Sequence, residues 1–168
     1  MAETTKKEYT LTTAMDQALR FLAPRFLSRY ELTQKLLRKS VPQDLIEQVM
    51  ERLEELQYID DERLSREALR LYMESEKYSE LFIRQKMHQR GLIVDYALNA
   101  YDETAVAYRL TARHFLPPGD TDRYEDGEPW SDDDRVPKKK VFNYLKNRGF
   151  KMGTIQEIAR CVALDNAF

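Results

Sequence analysis

The organisation of the chain is clearest in residues 21–67, which read FLAPRFLSRYELTQKLLRKSVPQDLIEQVMERLEELQYIDDERLSRE. Within this stretch, Ser28-Arg-Tyr-Glu31 has the spacing of a capping box, in which the Ser28 hydroxyl and the Glu31 carboxylate satisfy free backbone N–H groups at a helix start. Apolar residues then recur at helical spacing between Leu45 and Leu56, and they form the strongest amphipathic pattern of the chain. The stretch therefore predicts helices joined by short loops.

Three further positions predict helix starts. Ser40, with Gln43 three residues later, has the spacing of a second cap. Asp60-Asp61 predicts a third, because an aspartate cap and acidic residues in the first turn both complement the helix dipole. Ser79 predicts a fourth. Only 5 glycines and 6 prolines occur in 168 residues, which favours long helices over strands and turns.

Three segments share one plan, with an apolar anchor, polar or basic residues, a small residue and a final apolar residue. They are Leu36–Val41, Met87–Leu92 and Leu145–Phe150. The small residue suits left-handed backbone at a helix end, and the apolar residue can fold back onto the helix. The recurrence predicts an all-α fold of three tandem three-helix repeats. The predicted boundaries are 11–59, 60–101 and 102–168, with a flexible tail at 1–10.

The third predicted repeat contains an acidic insertion at residues 116–136, which is rich in turn residues and lacks apolar periodicity. Residues 120–135 hold eight acids and two arginines, whereas residues 137–152 hold six basic residues and no acid. We expect the insertion to form a surface loop or a mobile segment. Trp130 within it is either a local anchor or a contact for a partner, and the sequence leaves both open.

The sequence also excludes membrane and secreted classes. No stretch approaches the roughly 18–20 apolar residues that a membrane-spanning helix needs. The first ten residues lack the apolar core of a signal peptide. Cys161 is the single cysteine, so an internal disulfide and a cysteine-based metal site are excluded. We therefore expect a cytoplasmic protein that binds no membrane.

Nothing in the sequence predicts catalysis. His88 and His114 have no partners at metal-ligand spacing, and no glycine-rich phosphate loop or nucleophile motif occurs. Asp60 and Asp61 are better explained as a helix cap than as a metal or acid–base site. Cys161 lies at an apolar helical position, which favours a packing role. We expect no enzyme activity, catalytic residue, metal, cofactor or small-molecule substrate.

The basic side chains are the main candidates for partner binding, because phosphates or acidic protein surfaces would attract them. The alternative is that they solvate helix surfaces; the basic run at 137–152 favours partner binding. Tyr30, Tyr78 and Tyr124 lie outside the apolar stripes, which leaves stacking on single-stranded bases open for them. The candidate partner-binding residues are Arg20, Arg25, Arg29, Arg84, Lys86, Arg90, Lys138, Lys139, Lys140, Lys146, Arg148 and Lys151.

Several linked features resemble the RecX family. Residues 21–67 carry Leu22-Ala23 followed by Arg25, the Ser28 box with Glu31-Leu32, and Tyr58-Ile59-Asp60-Asp61 before the next helix. A looser match in the second repeat consists of Ile83, Arg84, Met87, Arg90-Gly91 and Leu92. A match in the third repeat consists of Lys138 to Lys140, Tyr144-Leu145 and Arg148-Gly149-Phe150. No single feature is specific, but the ordered series is.

This resemblance implies a regulator of the RecA recombinase that acts in DNA repair, recombination and the SOS response. RecX proteins are elongated, curved stacks of three-helix units that bind the RecA–single-stranded DNA filament and reduce its ATPase, strand-exchange and co-protease activities. The resemblance implies a RecA partner, single-stranded DNA as a further candidate partner, and no cofactor; we expect a monomer. Two other hypotheses stay open from the residues: a helical-repeat protein that binds nucleic acid without RecA, and a scaffold for another partner.

Overall fold

The computed structural model of the protein describes residues 8–94 and 96–164, with the Tyr96 side chain left aside, so most of the tail predicted at 1–10 lies outside the described residues. Regular structure is almost entirely helical, which confirms the all-α class. The elements are α1 Leu11–Leu22, α2 Arg29–Leu37, α3 Gln43–Glu55, α4 Asp61–Glu74, α5 Glu80–Gln89, a 3₁₀ helix Tyr96–Ala100, α6 Glu103–Phe115, β1 Val136–Pro137, α7 Lys138–Lys146, α8 Met152–Val162 and β2 Ala163–Leu164. None of the helices in the described ranges is long and apolar enough to cross a membrane.

The chain divides into two compact units, and α4 and α5 contribute residues to both. The first unit comprises the described residues up to Glu67 together with His88–Ile93. In its core, α1 packs against α2 and α3. The core residues are Ala14, Ala18, Leu27, Leu32, Leu36, Val41, Ile46, Val49, Met50, Leu53 and Ile59. The amphipathic pattern predicted at Leu45–Leu56 supplies the α3 face of this core.

The second unit comprises Ala68–Met87 and the described residues from Val94 onward. Here α8 packs against α6 and α7. The strands β1 and β2, which the sequence did not predict, form a two-stranded parallel pair in which Val136 lies opposite Ala163. The pair fixes where α7 begins.

Most of the predicted helix starts are confirmed. Ser28 and Glu31 form the complete capping box of α2. The Asp60 carboxylate accepts a hydrogen bond from the Arg63 N–H at 2.8 Å, and the Ser79 hydroxyl accepts one from the Phe82 N–H at 3.1 Å.

The cap predicted at Ser40 is wrong. Pro42 precedes the first residue of α3 and makes no side-chain capping bond. Ser40 instead has φ 60°, and its N–H donates to the Leu37 carbonyl at 2.8 Å. A capping residue needs extended backbone, so a residue that closes α2 in the left-handed region cannot also cap α3.

The repeated helix closure is confirmed. Gly91 and Gly149 have φ of 69° and 81°, as left-handed as Ser40. The residue after each small residue, Val41, Leu92 or Phe150, is buried. In two of the closures the N–H of that apolar residue reaches back 3.2 Å, from Val41 to Leu36 and from Phe150 to Leu145. This is the Schellman hydrogen bond, in which the donor lies five positions after the acceptor.

The acidic insertion has no regular secondary structure between residues 117 and 135, but it is anchored. Trp130 is 2% exposed, its N–H donates to the Cys161 carbonyl at 2.8 Å, and its indole donates to the Tyr108 hydroxyl at 3.0 Å. That hydroxyl donates in turn to the Glu128 carbonyl at 2.6 Å. Of the two roles left open for Trp130, the structure assigns the local anchor.

Candidate partner-binding surfaces

The start of α7 places three lysines, Lys138 to Lys140, together in one exposed turn. They follow Pro137, which provides no side-chain cap, and the first turn of the helix contains no acid. The N-terminus of a helix carries a partial positive charge, so lysines there cost stability, typically about 0.3–1 kcal/mol each at the surface. Three lysines in this turn therefore do not serve the helix itself.

None of these three lysines forms an ion pair or lies over an aromatic ring within the described part of the chain. The helix is anchored further along by Val141 and Leu145, which are fully buried. The ammonium groups are thus presented to solvent by an anchored helix. This arrangement, which we call the α7 lysine cluster, attracts anionic partners.

The other predicted basic residues of the second unit have partners within the chain. Lys146 lies over the Phe142 ring at 5.5 Å, and Arg148 lies over the Tyr144 ring at 3.7 Å. Lys151 approaches Glu80 at 3.5 Å and Glu103 at 4.0 Å. Phosphate binding by Lys151 competes with its carboxylate contacts, whereas Lys146 and Arg148 can donate to a phosphate while they remain over their rings.

Two further candidates lie on α5. Arg84 pairs with Glu80 at 2.7 Å, and Lys86 lies over the Phe82 ring at 5.3 Å. The Arg84 hydrogen bond lowers the pKa of the Glu80 carboxyl; burial opposes it, and the positive charge of Lys151 adds to the lowering. Glu80 therefore stays ionised between two cations.

In the first unit, Arg25 and Arg90 converge on Glu31. The Glu31 carboxylate lies 3.0 Å from Arg25 and 3.3 Å from Arg90, and it also accepts the Ser28 N–H at 3.1 Å. The Ser28 hydroxyl donates to the Arg90 carbonyl, which ties the start of α2 to the end of α5. We call this arrangement the Glu31 joint.

Burial favours the neutral form of Glu31 and by itself would raise the pKa of that carboxyl. The hydrogen bonds from Ser28 and Arg90, together with the positive charge of Arg25, outweigh burial and lower the pKa below its ordinary value. Glu31 is therefore held ionised, and its charge is already neutralised by arginines. The joint is a structural contact.

The remaining two candidates of the first unit differ from each other. Arg29 pairs with Glu54 at 2.5 Å, and its N–H donates to the Asp61 carboxylate at 2.8 Å. Arg20 is exposed in the last turn of α1 and pairs with no carboxylate among the described residues. Ion pairs within the described residues hold at least five of the twelve predicted residues. They are Arg25, Arg29, Arg84, Arg90 and Lys151.

Several acids of the insertion pair with residues outside the α7 lysine cluster. Asp134 accepts from the Tyr124 hydroxyl at 2.6 Å and pairs with Arg123 at 2.9 Å. Asp126 pairs with Arg109 of α6. Over the described residues, no carboxylate of the insertion lies within 4.0 Å of a lysine in the cluster.

Cys161 and His114 both have packing or hydrogen-bonding partners within the described residues. Burial, followed by the nearby negative charge of Glu157, raises the pKa of the Cys161 thiol, which keeps it protonated. The thiol donates to the Gly127 carbonyl at 3.3 Å. His114 stacks on Tyr144 at 4.0 Å, and no group of three or more potential metal ligands occurs in the part of the chain that the structure describes.

These features define an all-helical protein of three-helix domains that presents a basic surface and contains no catalytic constellation in its described residues. Comparison with known proteins gives the family. The family model described as "RecX, first three-helix domain" matches residues 14–53, which include α2 and most of α1 and α3.

The chain belongs to the RecX family. It is 32% identical over 154 residues to the "Regulatory protein RecX" of Chlorobaculum tepidum, covering 90% of this chain and 89% of that one. It is 30% identical to the protein of the same name from Chlorobium limicola, covering 94% and 91%. Membership places the chain in a family of regulatory proteins.

Solved structures agree on the fold. The crystal structure of RecX from Lactobacillus salivarius matches with a TM-score of 0.61 at 19% identity, covering 89% of this chain and 94% of that one. A second crystal structure, titled regulatory protein RecX, matches with a TM-score of 0.62, again at 19% identity. At this identity the likeness shows the fold alone.

Proposed function

We propose that this protein binds the RecA–single-stranded DNA filament and lowers the ATPase, strand-exchange and co-protease activities of RecA. It acts as a monomer in the cytoplasm, by binding and without chemistry of its own. Its family membership supports the regulatory part of this proposal. The anionic partner is supported by a single observation, the α7 lysine cluster, whose three exposed ammonium groups are unpaired within the described chain.

The predicted repeats give this proposal a geometry. If residues 11–59, 60–101 and 102–168 act as successive units, neighbouring units can contact neighbouring RecA protomers along the filament. Within this scheme the α7 lysine cluster of the third repeat meets acidic RecA surface or the bound strand. The ion-paired arginines of the Glu31 joint hold the first unit together and contribute little to the contact.

Titration of the protein into a RecA ATPase assay on single-stranded DNA tests the proposal. Wild-type protein lowers the rate of ATP hydrolysis as its concentration rises. The variant Lys138→Gln/Lys139→Gln/Lys140→Gln requires a higher concentration for half-inhibition, by about tenfold, because electrostatic contacts across an interface control association. Unchanged ATPase activity at a stoichiometric excess of wild-type protein contradicts the proposal.

The matched control is Arg52→Gln/Arg66→Gln/Arg70→Gln. It removes the same three positive charges, but from exposed residues that already pair with carboxylates along their own helices. Exposed pairs of this kind contribute little to stability, so the control stays folded. If the control loses inhibition as strongly as the lysine variant, the contact depends on total charge and the cluster is not the site.

Nucleic-acid binding without RecA is the second candidate, and the same lysines favour it. It predicts that the protein shifts single-stranded DNA in the absence of RecA, with an affinity that falls steeply as salt rises. A protein that binds DNA in this way but leaves RecA ATPase unchanged at saturating RecA supports the second candidate over the first.

A further inference from the structure

We propose that the grooves on either side of Tyr30 bind single-stranded nucleic acid. One unpaired base stacks on the Tyr30 ring, and Arg38 and Lys35 hold the adjacent phosphates. This site consists of first-unit residues and requires no RecA. It goes beyond the proposed inhibition of RecA, and it differs from the second candidate above because it uses Tyr30, Arg38 and Lys35 instead of the α7 lysine cluster.

Tyr30 differs from the other two tyrosines that lie outside the apolar stripes. Tyr78 stacks on Phe82 with ring centroids 4.4 Å apart, and Tyr124 stacks on Trp130 at 6.0 Å. Tyr30 is 50% exposed, and its ring has no aromatic partner among the described residues. It is therefore the one of the three whose ring face is available to a ligand.

The Cβ atom of Tyr30 is also held in place by packing. A Cβ atom added to Gly91 would lie 2.5 Å from the Tyr30 Cβ, so the end of α5 packs directly against the first side-chain carbon of this residue. A side chain held in this way loses little conformational freedom on binding. A rigidly based, half-exposed aromatic ring is what base stacking requires.

Two open grooves meet at Tyr30. One has a volume of about 350 Å³ and runs along α2, lined by Tyr30, Gln34, Lys35 and Arg38 on that helix. The other has a volume of about 610 Å³ and is lined by Tyr30 and residues 88, 89, 91 and 92 at the end of α5. Both volumes fall in the range that small ligands fill.

The charges of the first groove suit phosphates. Tyr30, Gln34 and Arg38 are spaced four residues apart, so they follow one face of α2 over about 12 Å, a length of three to four base steps at B-form spacing. Arg38 is exposed and pairs with no carboxylate in the described ranges, and Lys35 lies over the Phe21 ring at 5.1 Å. The acid that lines this groove, Glu31, is already neutralised in the Glu31 joint.

An acidic peptide would also be attracted by Arg38 and Lys35. The flat exposed ring and the neutral amide of Gln34 favour a nucleic acid, because a base offers both a stacking face and edges that accept and donate hydrogen bonds. Stacking requires unpaired bases, which selects a single strand over a duplex.

The test measures the fluorescence anisotropy of a labelled oligothymidylate of about ten nucleotides, at low salt, with the full chain and without RecA. Tyr30→Ala and Tyr30→Leu each lower the affinity about tenfold, since both lack the aromatic face. Tyr30→Leu keeps side-chain bulk beyond the Cβ that packs on Gly91, and it covers the case in which the alanine variant unfolds. Tyr30→Phe keeps the ring and stays within twofold of wild type. Tyr58→Ala, a control at a tyrosine that is 54% exposed and outside both grooves, leaves affinity unchanged.

Two further measurements separate the contribution of base stacking from that of charge. Affinity falls as salt rises, and Arg38→Gln makes the slope of log affinity against log salt shallower by about 0.7, the value for one phosphate contact on a single strand. Tyr30→Leu leaves this slope unchanged. On an abasic oligonucleotide of equal length, wild type and Tyr30→Leu bind equally.

Three outcomes overturn the proposal. They are no binding of the oligonucleotide by wild-type protein, an affinity of Tyr30→Leu for the normal strand equal to that of wild type, or competition by polyglutamate of matched charge as strong as competition by unlabelled oligonucleotide. All are measured without RecA. Loss of RecA inhibition in the ATPase assay is a separate result, so the two proposals fail independently.

Discussion

The end of α5 and the start of α7 both carry basic side chains at a helix terminus, but their surroundings differ. At the Glu31 joint, Arg90 lies 3.3 Å from a carboxylate that also holds Arg25 and the Ser28 N–H. At the α7 lysine cluster, Lys138 to Lys140 have no carboxylate within 4.0 Å in the described ranges. The same residue types therefore stabilise the fold in one region and are left available to a partner in the other. The nearby acids decide which role a basic residue takes.

The largest expected effect tests how tightly the Glu31 joint is packed. Gly91→Ala places a Cβ atom 2.5 Å from the Tyr30 Cβ at a residue with φ 69°, so both a clash and left-handed strain oppose it. We expect a loss of about 3 kcal/mol in the free energy of unfolding, measured by urea denaturation. The control is Gly153→Ala, where the added Cβ meets nothing within 4 Å. Equal stability of the two variants would show that the joint is loose.

A smaller effect is expected from the joint's carboxylate. Glu31→Ala removes one half of the capping box and leaves Arg90 and the Ser28 N–H without their acceptor, which we expect to cost about 2 kcal/mol at pH 7. Glu31→Gln keeps a hydrogen-bonding capping side chain, so its free energy of unfolding falls by about half as much. The control is Glu51→Ala, an exposed α3 residue expected to change stability by less than about 0.5 kcal/mol.

The pH dependence of the free energy of unfolding in the same variants isolates the contribution of the Glu31 charge. Because the folded state lowers the pKa of Glu31, its ionised form stabilises the fold above the ordinary value of 4.5. That contribution is lost as pH falls through the lowered pKa, where both states become protonated. The stability difference between wild type and Glu31→Gln should therefore be full at pH 6–7 and shrink below about pH 4.5. A difference that stays constant down to pH 3 contradicts the ionic role of Glu31.

The smallest effect concerns the α7 lysine cluster. Because lysines oppose the dipole at a helix N-terminus, Lys138→Gln/Lys139→Gln/Lys140→Gln should raise the free energy of unfolding by about 1 kcal/mol, measured by urea denaturation. The arginine control at residues 52, 66 and 70 should instead lose about 0.3 kcal/mol per pair. A lysine variant less stable than wild type would mean that the cluster serves the fold, and the contrast between the two regions would disappear.

Much of the fold is local and could be predicted. The capping box at Ser28, the caps at Asp60 and Ser79, and the left-handed closures depend on contacts between residues three to five positions apart. Such contacts form whenever a short segment has the right residues in order. The error at Ser40 arose because one residue satisfied two local patterns, and only its φ of 60° decided between them. Gln57 adopts the same left-handed backbone with φ 58°, without a small side chain to signal it.

The candidate surfaces were only partly predictable. All twelve basic residues were identified from the sequence, yet nothing local distinguished Arg90 from Lys140. The partner of Arg90 is 59 residues away along the chain. The role of Tyr30 depends likewise on Gly91, a residue of another helix.

By itself the sequence determined the all-α class, most of the helix ends, the basic run of α7 and the resemblance to RecX, because each depends on composition or on neighbours along the chain. The tertiary structure alone decided that Trp130 is an anchor, that β1 pairs with β2 and that Glu31 neutralises Arg25 and Arg90. It also decided which lysines stay unpaired. The physical reason is that burial and ion pairing depend on distances in space, and residues far apart in sequence come within a few ångströms only after the helices pack.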